Sequence, residues 1–355
     1  MLPATEVTDL SLSNSFSHET VQSCLDFASK KYPGHLLTPL SQQGGCSFTI
    51  VAHTSAADDD DNQSIMIQFR IPRFALSPTI AHESRALYGN LVPALLSSEN
   101  LVTGQGNPLQ VYAMTFISGV RLSDVQPSER CLGERDLGRM FALVDGMAKF
   151  FAMGWEKGVM RRAMNGRVGK SLMQRLRNLE RDLPVEWMRG EAGSAADAVE
   201  RGVLEFLPVV LNHGDLLPSN IMVDGESWGL SGLVDWAEAE YLSFGMALYG
   251  VEHLLGFETH ACGLDAEPHF TYYDEADELR DRFWTTLLAY VPELANARVQ
   301  TAVLLSRQIG IMLWHGFAWD DGKIDRVVNE LNDRQEMAYL EVFLRASTGQ
   351  ERSKL

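Results

Sequence analysis

The sequence predicts an α+β protein built from two unequal parts, a smaller strand-rich part followed by a larger helical part. Two observations carry this prediction. Strand-like segments dominate as far as residue 117, and long helical periodicity follows Gly119, interrupted only by short strand-like segments around residues 207–233. A chain of 355 residues is long enough for two parts that each bury a core. We therefore predict an N-terminal part at residues 1–117 and a C-terminal part at residues 118–355.

Turn signals separate the predicted elements of the N-terminal part. Residues 20–31 carry apolar side chains at helical spacing, and Pro33-Gly34 ends this helix. Residues 40–53 are predicted as a strand, a glycine pair and a second strand, followed by a solvated turn at the four aspartates of residues 58–61. The remaining predictions are a strand over residues 65–71, a helix over residues 80–91 and a strand over residues 109–117.

Helices dominate the predictions for the C-terminal part. Leu137, Met140, Val144 and Phe151 recur on one helical face, which is the apolar stripe of an amphipathic helix. Residues 188–198 are small and polar and are predicted as a loop that leads into a short helix. Further helices are predicted over residues 171–182, 277–289, 298–317 and 326–345.

The charge balance limits the classes of partner. The chain has 30 Lys and Arg residues against 47 Asp and Glu residues, which gives a net charge of -17. Such a chain repels phosphate backbones and anionic lipids, so we exclude nucleic acids and membrane surfaces as partners. The acidic balance is compatible with a cationic small molecule, and equally with an ordinary solvated surface.

Cysteine usage and the apolar segments indicate a reducing, cytoplasmic compartment. The four cysteines form no C-x-x-C pair, so neither a disulfide framework nor a structural zinc site is indicated. The N-terminus lacks the basic-then-apolar pattern of a signal peptide. The apolar stretch at residues 301–319 is interrupted by Arg307 and His315, which favours a buried helix over a membrane span.

The side chains that could take part in a reaction are concentrated in residues 209–240. This segment contains the pattern His213-x-Asp215-x-x-x-x-Asn220, and Asp235 follows at the end of an apolar strand. Phosphoryl transfer depends on positioning and charge neutralisation more than on covalent catalysis. Asp215 is suited to accept or orient the attacking hydroxyl, and Asn220 and Asp235 offer the amide and carboxylate oxygens that Mg²⁺ binds. The competing interpretation is that Asp215 and Asn220 cap turns and that Asp235 only ends a strand.

The run HGDLLPSN at residues 213–220 resembles the catalytic loop of the aminoglycoside phosphotransferase and choline kinase family, small-molecule relatives of protein kinases. VDW at residues 234–236 resembles the family's strand-borne metal aspartate, and GIMLWHGFAWDDG at residues 310–322 resembles fungal members. The resemblance implies a protein-kinase-like fold with a small antiparallel-sheet N-lobe and a larger, mainly helical C-lobe. It also implies Asp215 as the catalytic residue, Asn220 and Asp235 as Mg²⁺ ligands, and ATP as the donor.

The same resemblance places the phosphate contacts in the N-terminal third. Gly44, Gly45 and Ser47 lie between two predicted strands, where the family has its phosphate-covering loop, although a glycine pair alone is also typical of a hairpin turn. Arg70 lies where relatives carry a lysine or arginine that contacts the nucleotide phosphates. Glu83 in the following helix would hold Arg70, and Arg73 competes with Arg70 for this role.

The hinge that receives the adenine ring is implied at the end of a predicted strand. Met114, Thr115 and Phe116 resemble this hinge, whose backbone contacts the base. Ordinary core packing is the competing interpretation for Met114 and Phe116.

Two other patterns are weaker. Residues 166–171 resemble a Walker A loop, but Met164 stands where the first glycine belongs, so a helix start is predicted instead. His253, His260 and His269 lie near Cys262 without the spacing of metal ligands.

The leading hypothesis is an ATP- and Mg²⁺-dependent phosphotransferase that acts on a hydroxyl of a small molecule, with the acceptor beside Asp215. Carboxylates that would suit a cationic acceptor are Glu238, Glu240, Glu252, Glu258, Asp265, Glu267, Asp274, Asp320 and Asp321. Two alternatives stay open: a nucleotide-binding pseudokinase that acts as a regulator, and a kinase-like fold recruited to non-phosphoryl biosynthetic chemistry. The identity of the acceptor and the oligomeric state cannot be inferred from the sequence.

Overall fold

The computed structural model describes residues 16–54, 64–259, 269–320 and 322–348 of the chain. The chain divides into two compact units, Met1–Ser118 (unit 1) and Gly119–Leu355 (unit 2). The boundary expected from the sequence, after residue 117, lies one residue before this division. Several residues considered above lie outside the described ranges: residues 58–61, His260, Cys262, Asp265, Glu267 and Asp321.

The described part of unit 1 contains two helices and five strands. These are α1 (His18–Lys31), β1 (Leu36–Pro39), β2 (Ser47–His53), β3 (Ile65–Arg70), α2 (Pro78–Tyr88), β4 (Leu95–Val102) and β5 (Pro108–Thr115). The strands form one antiparallel sheet in the order β1-β2-β3-β5-β4, which leaves β1 and β4 at its edges. The Ser17 hydroxyl caps α1 by accepting from the Thr20 N–H.

The sheet of unit 1 has two chemically different faces because side chains alternate along each strand. Phe48, Ile67 and Phe69 lie on one face, in one buried cluster with Cys24 and Ala28 of α1. The helix predicted over residues 20–31 is therefore confirmed, and it covers the apolar face. The opposite face of β2 and β3 carries polar side chains.

Helices dominate the described part of unit 2, with short strands between them. The elements are β6 (Val120–Arg121), α3 (Leu122–Val125), α4 (Glu134–Lys157), α5 (Gly166–Asp182), α6 (Glu186–Glu200), β7 (Val209–Asn212), β8 (Ile221–Val223), β9 (Leu230–Leu233), β10 (Glu240–Ser243), α7 (Tyr249–Glu252), β11 (Gly256–Thr259), β12 (His269–Tyr272), α8 (Ala276–Tyr290), α9 (Ala297–His315) and α10 (Arg334–Thr348). Three small sheets form, in the orders β6-β8-β9, β7-β10 and β11-β12. Within the described ranges, the helices all fall short of the length and apolarity that crossing a membrane requires.

Helix α6 corrects the loop predicted over most of residues 188–198. Its small side chains serve packing, since Ala192 and Ala196 are fully buried. A Cβ on Gly193 would lie 2.7 Å from the Glu180 Oε1 atom of α5. The small-residue face lets α6 approach α5 closely, so side-chain size, and not turn chemistry, explains this composition.

Three further differences from the sequence predictions concern one missed strand and two element boundaries. Strand β4 is not predicted because it is an edge strand whose burial alternates residue by residue, with a polar exposed side. The first strand of the β1–β2 hairpin ends at Pro39, before the predicted start at residue 40. The last helix begins at Arg334 and not at residue 326, because Val328 donates its N–H to the Gly316 carbonyl at 3.1 Å in an extended segment.

A buried carboxylate links four elements of unit 2. Glu252 of α7 is 1% exposed and forms ion pairs with Arg307 of α9 and Arg280 of α8. The Tyr272 hydroxyl of β12 donates to the same carboxylate at 2.7 Å. Burial alone would raise the pKa of Glu252, but the two guanidinium groups outweigh it and lower the pKa to about 2. The carboxylate therefore stays charged and joins these elements.

Replacing Glu252 with alanine is expected to destabilise the protein by about 3–5 kcal/mol, because buried guanidinium groups lose their counter-charge. Urea unfolding followed by circular dichroism measures this loss. Asp274→Ala is the matched control, since its exposed pair with Arg130 is expected to contribute about 0–1 kcal/mol. Equal losses in the two variants would contradict the linking role of Glu252.

Candidate active site

A short antiparallel strand pair leads into the predicted catalytic loop. β7 pairs with β10, with Asn212 opposite Glu240, and the chain leaves the sheet at His213. Gly214 then adopts φ = +83°, and a Cβ there would overlap the Glu238 carbonyl oxygen. Glycine is therefore required between His213 and Asp215.

His213 braces this loop against the strand end that carries Asp235. Its Nε2–H donates to the Val234 carbonyl at 2.9 Å, and its Nδ1 accepts from the Asp215 N–H at 3.3 Å. The side chain is fully buried, with its ring 4.7 Å from the Trp236 ring. Burial lowers the pKa of His213 to about 4, against the opposing effect of the Asp235 charge. A neutral imidazole with both nitrogens engaged acts as a brace and not as a proton carrier.

A tight turn brings Asp215 and Asn220 together. Residues Pro218–Asn220 form one turn of 3₁₀ helix, which reverses the chain. Asn220 Nδ2 donates to the Oδ2 atom and to the main-chain oxygen of Asp215, both at 2.9 Å. The amide thereby orients the Asp215 carboxylate, while its own Oδ1 atom is of the type that binds a cation.

Strand pairing places Asp235 next to Asn220. β8 and β9 are antiparallel with Ile221 opposite Leu233, and the Val234 N–H donates to the Asn220 carbonyl at 2.9 Å. Asp235 follows directly and has φ = +62°, a conformation that is uncommon for a residue other than glycine. Asn220 and Asp235 therefore meet at the same end of the β8–β9 pair, and Asp215 joins them through Asn220.

These residues suit a hard divalent cation. Asn220 and Asp235 offer amide and carboxylate oxygens, and Mg²⁺ prefers oxygen ligands and retains water or substrate phosphate oxygens in its shell. In the portion of the chain that the structure describes, no group of three or more His, Cys, Asp or Glu side chains is arranged to hold a metal ion.

Tyr249 supports the catalytic loop from α7. Its hydroxyl accepts from the Leu216 N–H at 3.0 Å, and its ring stacks on Trp314 with ring centres 5.0 Å apart. Burial, together with the nearby charge of Asp215, raises the pKa of Tyr249 well above its usual range. The hydroxyl stays protonated, so the loop is supported by a neutral group.

Unit 2 contains a cavity of about 750 Å³ beside the catalytic loop, which we name the Asp215 cavity. Asp215 and Leu217 form part of its wall, together with residues of α7, α9 and α10. Apolar and aromatic side chains supply most of the remaining wall: Leu242, Met246, Tyr249, Phe257, Phe270, Leu313, Trp314, Phe317 and Tyr339. This volume and this lining are typical of a small-molecule site.

Carboxylates also line the Asp215 cavity, and each has a partner in the chain. They are Asp215, Glu238, Glu240, Glu258 and Glu336. Glu238 forms an ion pair with Arg167 at 2.7 Å, and Glu258 accepts from Gln335. Among the other predicted carboxylates, those in the described ranges pair with arginines and do not line the cavity: Glu252, Asp274 and Asp320.

The Walker-like segment is the N-terminus of α5, which confirms the predicted helix start. The N–H groups of Arg167, Val168 and Gly169 donate to the Glu240 carboxylate at distances of 2.7 to 3.2 Å. An internal carboxylate thus occupies the position where a helix N-terminus would bind a phosphate.

A row of polar side chains crosses the face of the unit 1 sheet opposite α1. Ser47 pairs with Arg70 across β2 and β3, and Gln68 joins them by donating to Ser47 Oγ at 3.2 Å and accepting from Arg70 Nε at 2.9 Å. Arg70 Nη1 also donates to the Phe74 carbonyl at 3.1 Å, and Arg70 is 2% exposed. Two predicted phosphate contacts, Ser47 and Arg70, therefore lie together. The pairing of Arg70 with Glu83 stays a prediction.

Gly44 and Gly45 lie in the exposed turn that joins β1 to β2. The Gln43 side chain closes this turn, since its Nε2 donates to the carbonyls of Leu40 at 2.8 Å and Thr49 at 3.0 Å. Its Oε1 accepts from the Thr49 N–H at 2.7 Å. The turn is a hairpin with an exposed glycine tip, a geometry compatible with both interpretations of the glycine pair.

The predicted hinge residues end β5 and already use part of their backbone. The Thr115 N–H donates to the Ala94 carbonyl at 2.9 Å, and the Phe116 N–H donates to the Ser64 carbonyl at 3.1 Å. Met114 is buried within the unit, as the core interpretation expects. The N–H groups of Thr115 and Phe116 are therefore already occupied by hydrogen bonds within unit 1.

A match to a family model shows the family to which the chain belongs. The model of the phosphotransferase enzyme family, APH, matches residues 60–249, which is more than half of the 355 residues. The chain belongs to this family. It is accordingly a phosphotransferase. No protein with a curated description matches the chain.

Solved structures of phosphotransferases resemble this one at low sequence identity. A choline/ethanolamine kinase family protein from Mesorhizobium loti is 14% identical with a TM-score of 0.51, over 95% of this chain and 96% of that chain. A macrolide 2′-phosphotransferase from Brachybacterium faecium is 14% identical with a TM-score of 0.49, over 83% and 92%. An aminoglycoside phosphotransferase from Streptomyces rimosus, in complex with ADP and streptomycin, is 12% identical with a TM-score of 0.46, over 82% and 98%. The first of these confirms the protein-kinase-like α+β fold expected for this phosphotransferase.

Sequence reasoning missed three residues that organise the phosphotransferase. Gln43 closes the glycine turn, Gln68 joins Ser47 to Arg70, and Tyr249 supports the catalytic loop. Gln68 had a usable signal, because it lies two residues from Arg70 in a strand and therefore on the same face. Tyr249 lies 33 residues beyond the backbone group that it binds, and no local pattern indicates it.

The buried His213 is expected to make the phosphotransferase less stable in acid. Its pKa is about 4 when folded, against about 6.5 when unfolded, so the unfolded state binds more protons between these pH values. The free energy of unfolding is therefore expected to fall from pH 6.5 toward pH 4, with a contribution of up to about 1.4 kcal/mol per pH unit from this residue.

Urea unfolding at a series of pH values measures this slope in the wild type and in His213→Asn. The variant should show a smaller slope than the wild type. His269→Asn, at an exposed position of β12, is the matched control and should keep the wild-type slope. An unchanged slope in His213→Asn would contradict the assignment.

Proposed function

We propose that this phosphotransferase transfers the γ-phosphoryl group of ATP to a hydroxyl group of a small molecule bound in the Asp215 cavity. One observation carries the proposal: Asp215, oriented by Asn220, lines a cavity of ligand size while Asn220 meets Asp235 at the end of β8 and β9. The complete set of these three residues favours an active enzyme over a nucleotide-binding regulator.

Asp215 is the proposed catalytic residue. Its carboxylate would accept the proton of the acceptor hydroxyl as the hydroxyl oxygen forms its bond to the γ-phosphorus. The bond between the γ-phosphorus and the bridging oxygen breaks, and ADP leaves with that oxygen. The hydrogen bond from Asn220 holds the carboxylate in one orientation, which lowers the cost of reaching the reactive geometry.

Asn220 and Asp235 are the proposed ligands of Mg²⁺. When bound, Mg²⁺ neutralises the charge on the phosphate oxygens. The β8–β9 pairing, which brings the backbone of Asn220 and Asp235 to the same strand end, supports this assignment. The left-handed backbone conformation of Asp235 turns the chain directly after the end of the strand.

The residues of unit 1 are the proposed contacts to the nucleotide. Arg70 would bind phosphate oxygens, with Glu83 as its partner, and the turn at Gly44, Gly45 and Ser47 would offer backbone N–H groups to the phosphates. The hydrogen bonds through Gln68 support this proposal because they tie Ser47 to Arg70. The hinge at Met114, Thr115 and Phe116 would lie against the adenine ring.

The lining of the Asp215 cavity favours a cationic acceptor over an anionic one. Among the residues that the structure describes, the lining includes five carboxylates and one arginine, Arg167. The ion pair between Arg167 and Glu238 offsets one of these charges, and the remaining carboxylates keep the cavity negative.

Replacing Asp215 with alanine is expected to lower the rate of ADP release by about a hundredfold to ten-thousandfold, because the acceptor hydroxyl loses its base. A coupled assay with ATP, Mg²⁺ and a panel of alcohols, aminoglycosides and cell-extract metabolites measures this rate. Asp224→Asn, in the exposed turn between β8 and β9, is the matched control and should keep the wild-type rate.

Mass spectrometry of the products separates phosphoryl transfer from other chemistry. The acceptor should gain a phosphoryl group, whereas a condensation or cyclisation would yield none. An undiminished rate of ADP release by the Asp215→Ala variant would contradict the proposed mechanism.

Replacing Asp235 with asparagine removes a charged ligand, and replacing Asn220 with alanine removes an amide oxygen ligand. Each change is expected to raise the half-saturating Mg²⁺ concentration by about tenfold or more. Titration of ADP release with Mg²⁺ at saturating ATP measures this change. Asp224→Asn again serves as the control. A normal Mg²⁺ requirement in both site variants would refute the assignment of these ligands.

A further inference from the structure

Two tryptophans in the wall of the Asp215 cavity keep accessible ring surface. Trp314 of α9 is half-buried, and Trp319, which follows α9, is 56% exposed. Both line the cavity, together with four further aromatic side chains: Phe257, Phe270, Phe317 and Tyr339. A single exposed ring is ordinary, but aromatic surface gathered in the wall of a ligand-sized cavity points to an apolar body of the ligand.

Trp314 connects the cavity to the catalytic loop. Its ring is nearly parallel to that of Tyr249, with an interplanar angle of 10° and ring centres 5.0 Å apart. The Tyr249 hydroxyl in turn accepts from the Leu216 N–H, next to Asp215. A ligand group that packs on the remaining surface of Trp314 is therefore connected to the catalytic loop through a single side chain.

Backbone hydrogen bonds hold the segment that carries Trp319. The Ala318 N–H donates to the Arg326 carbonyl, and the Asp320 N–H donates to the Lys323 carbonyl, both at 2.8 Å. Arg326 Nε also donates to the Asp320 carboxylate at 2.8 Å. Because the backbone at Trp319 is fixed in this way, a ligand that binds the indole has only its side-chain rotation to restrict.

The carboxylates of the wall are engaged within the chain. Glu238 pairs with Arg167 at 2.7 Å, and Glu240 accepts from N–H groups at the start of α5. Trp319, in contrast, remains largely exposed to water. Removing apolar surface from water is favourable in proportion to its area, so the rings of the wall favour a ligand with an apolar body.

The aromatic character of the wall favours a planar body over a saturated one. Aromatic pairs in offset-stacked or edge-to-face geometry are stabilised beyond the area that they bury. A saturated ring of the same carbon skeleton lacks this contribution. A quaternary ammonium also binds aromatic faces, but a small ammonium alcohol fills only a minor part of a cavity of about 750 Å³.

We propose that Trp314 and Trp319 bind a planar aromatic part of the acceptor and so determine the specificity of the phosphotransferase. The acceptor class is an aromatic alcohol, a molecule whose hydroxyl group is carried by an apolar body of one or more aromatic rings. This inference rests on the proposed function only in taking the occupant of the cavity to be the acceptor.

The test compares two probes with the same carbon skeleton, 2-naphthalenemethanol and decahydro-2-naphthalenemethanol, without nucleotide. Isothermal titration calorimetry measures both dissociation constants, and their ratio isolates the contribution of planarity. Relative to the wild type, Trp314→Leu and Trp319→Leu should each lower the preference for the naphthyl alcohol by about threefold, and the double variant by about tenfold. Leucine keeps an apolar side chain and removes the aromatic ring.

Two further variants separate ring recognition from folding. Trp314→Phe keeps an aromatic ring and should retain most of the preference. Trp187→Leu removes a half-buried tryptophan that packs against Arg345 outside the cavity lining, and should leave the ratio unchanged.

Three results would overturn the inference. These are an unchanged ratio in either leucine variant of the cavity, no measurable binding of the naphthyl alcohol to the wild type, and tighter binding of tetraethylammonium than of the naphthyl alcohol. The last result would assign the rings to a cation instead.

The outcome is independent of catalysis. Asp215→Ala should lose ADP release and keep the ratio of probe affinities, since both probes carry the same hydroxyl group. If ADP release persists in that variant, the proposed function fails while the tryptophan pair stands. If only the probe ratio fails to change in the tryptophan variants, the tryptophan pair is rejected while the proposed function stands.

Discussion

The antiparallel register of β8 against β9 is the constraint on which the phosphotransferase site depends. It sets Asn220 opposite Val234, so that Asp235 follows beside the amide that orients Asp215. His213 ties the catalytic loop to the same strand end through the Val234 carbonyl. Backbone pairing and this histidine therefore bring Asp215, Asn220 and Asp235 to the same end of the strand pair.

The net charge of the whole chain and the individual charges inside unit 2 have different consequences. The net charge of -17 describes the average field and bears on large anionic partners. Inside unit 2, the decisive charges are matched one by one: Glu252 by Arg307 and Arg280, and Glu240 by the N-terminus of α5. Such local matching keeps the pKa of the buried Glu252 low, so this carboxylate stays ionised without long-range compensation.

Sequence patterns predicted the features that depend on neighbouring residues. The α1 helix, the strand β3 and the spacing from Asp215 to Asn220 follow from periodicity or from a short motif. The body of α6 was missed because small residues look alike in a loop and in a close helix contact, and only the partner α5 distinguishes the two. Strand β4 was missed because its exposed side is polar. His253, which follows α7, packs against His315 of α9, and no local signal connects positions so far apart.

The side chain of Gln43 stabilises the base of the glycine turn in unit 1. Its side chain bonds to both strands of the hairpin, so the shape of the loop is set at its base and not at its tip. Neither tip residue has a positive φ, and a Cβ on Gly45 would meet no atom within 4 Å, whereas a Cβ on Gly44 would lie 3.2 Å from Ser47 Oγ. Folding therefore constrains the residue type at position 45 only weakly. A substitution at position 45 would therefore change the surface of the tip while the hairpin that presents it keeps its shape.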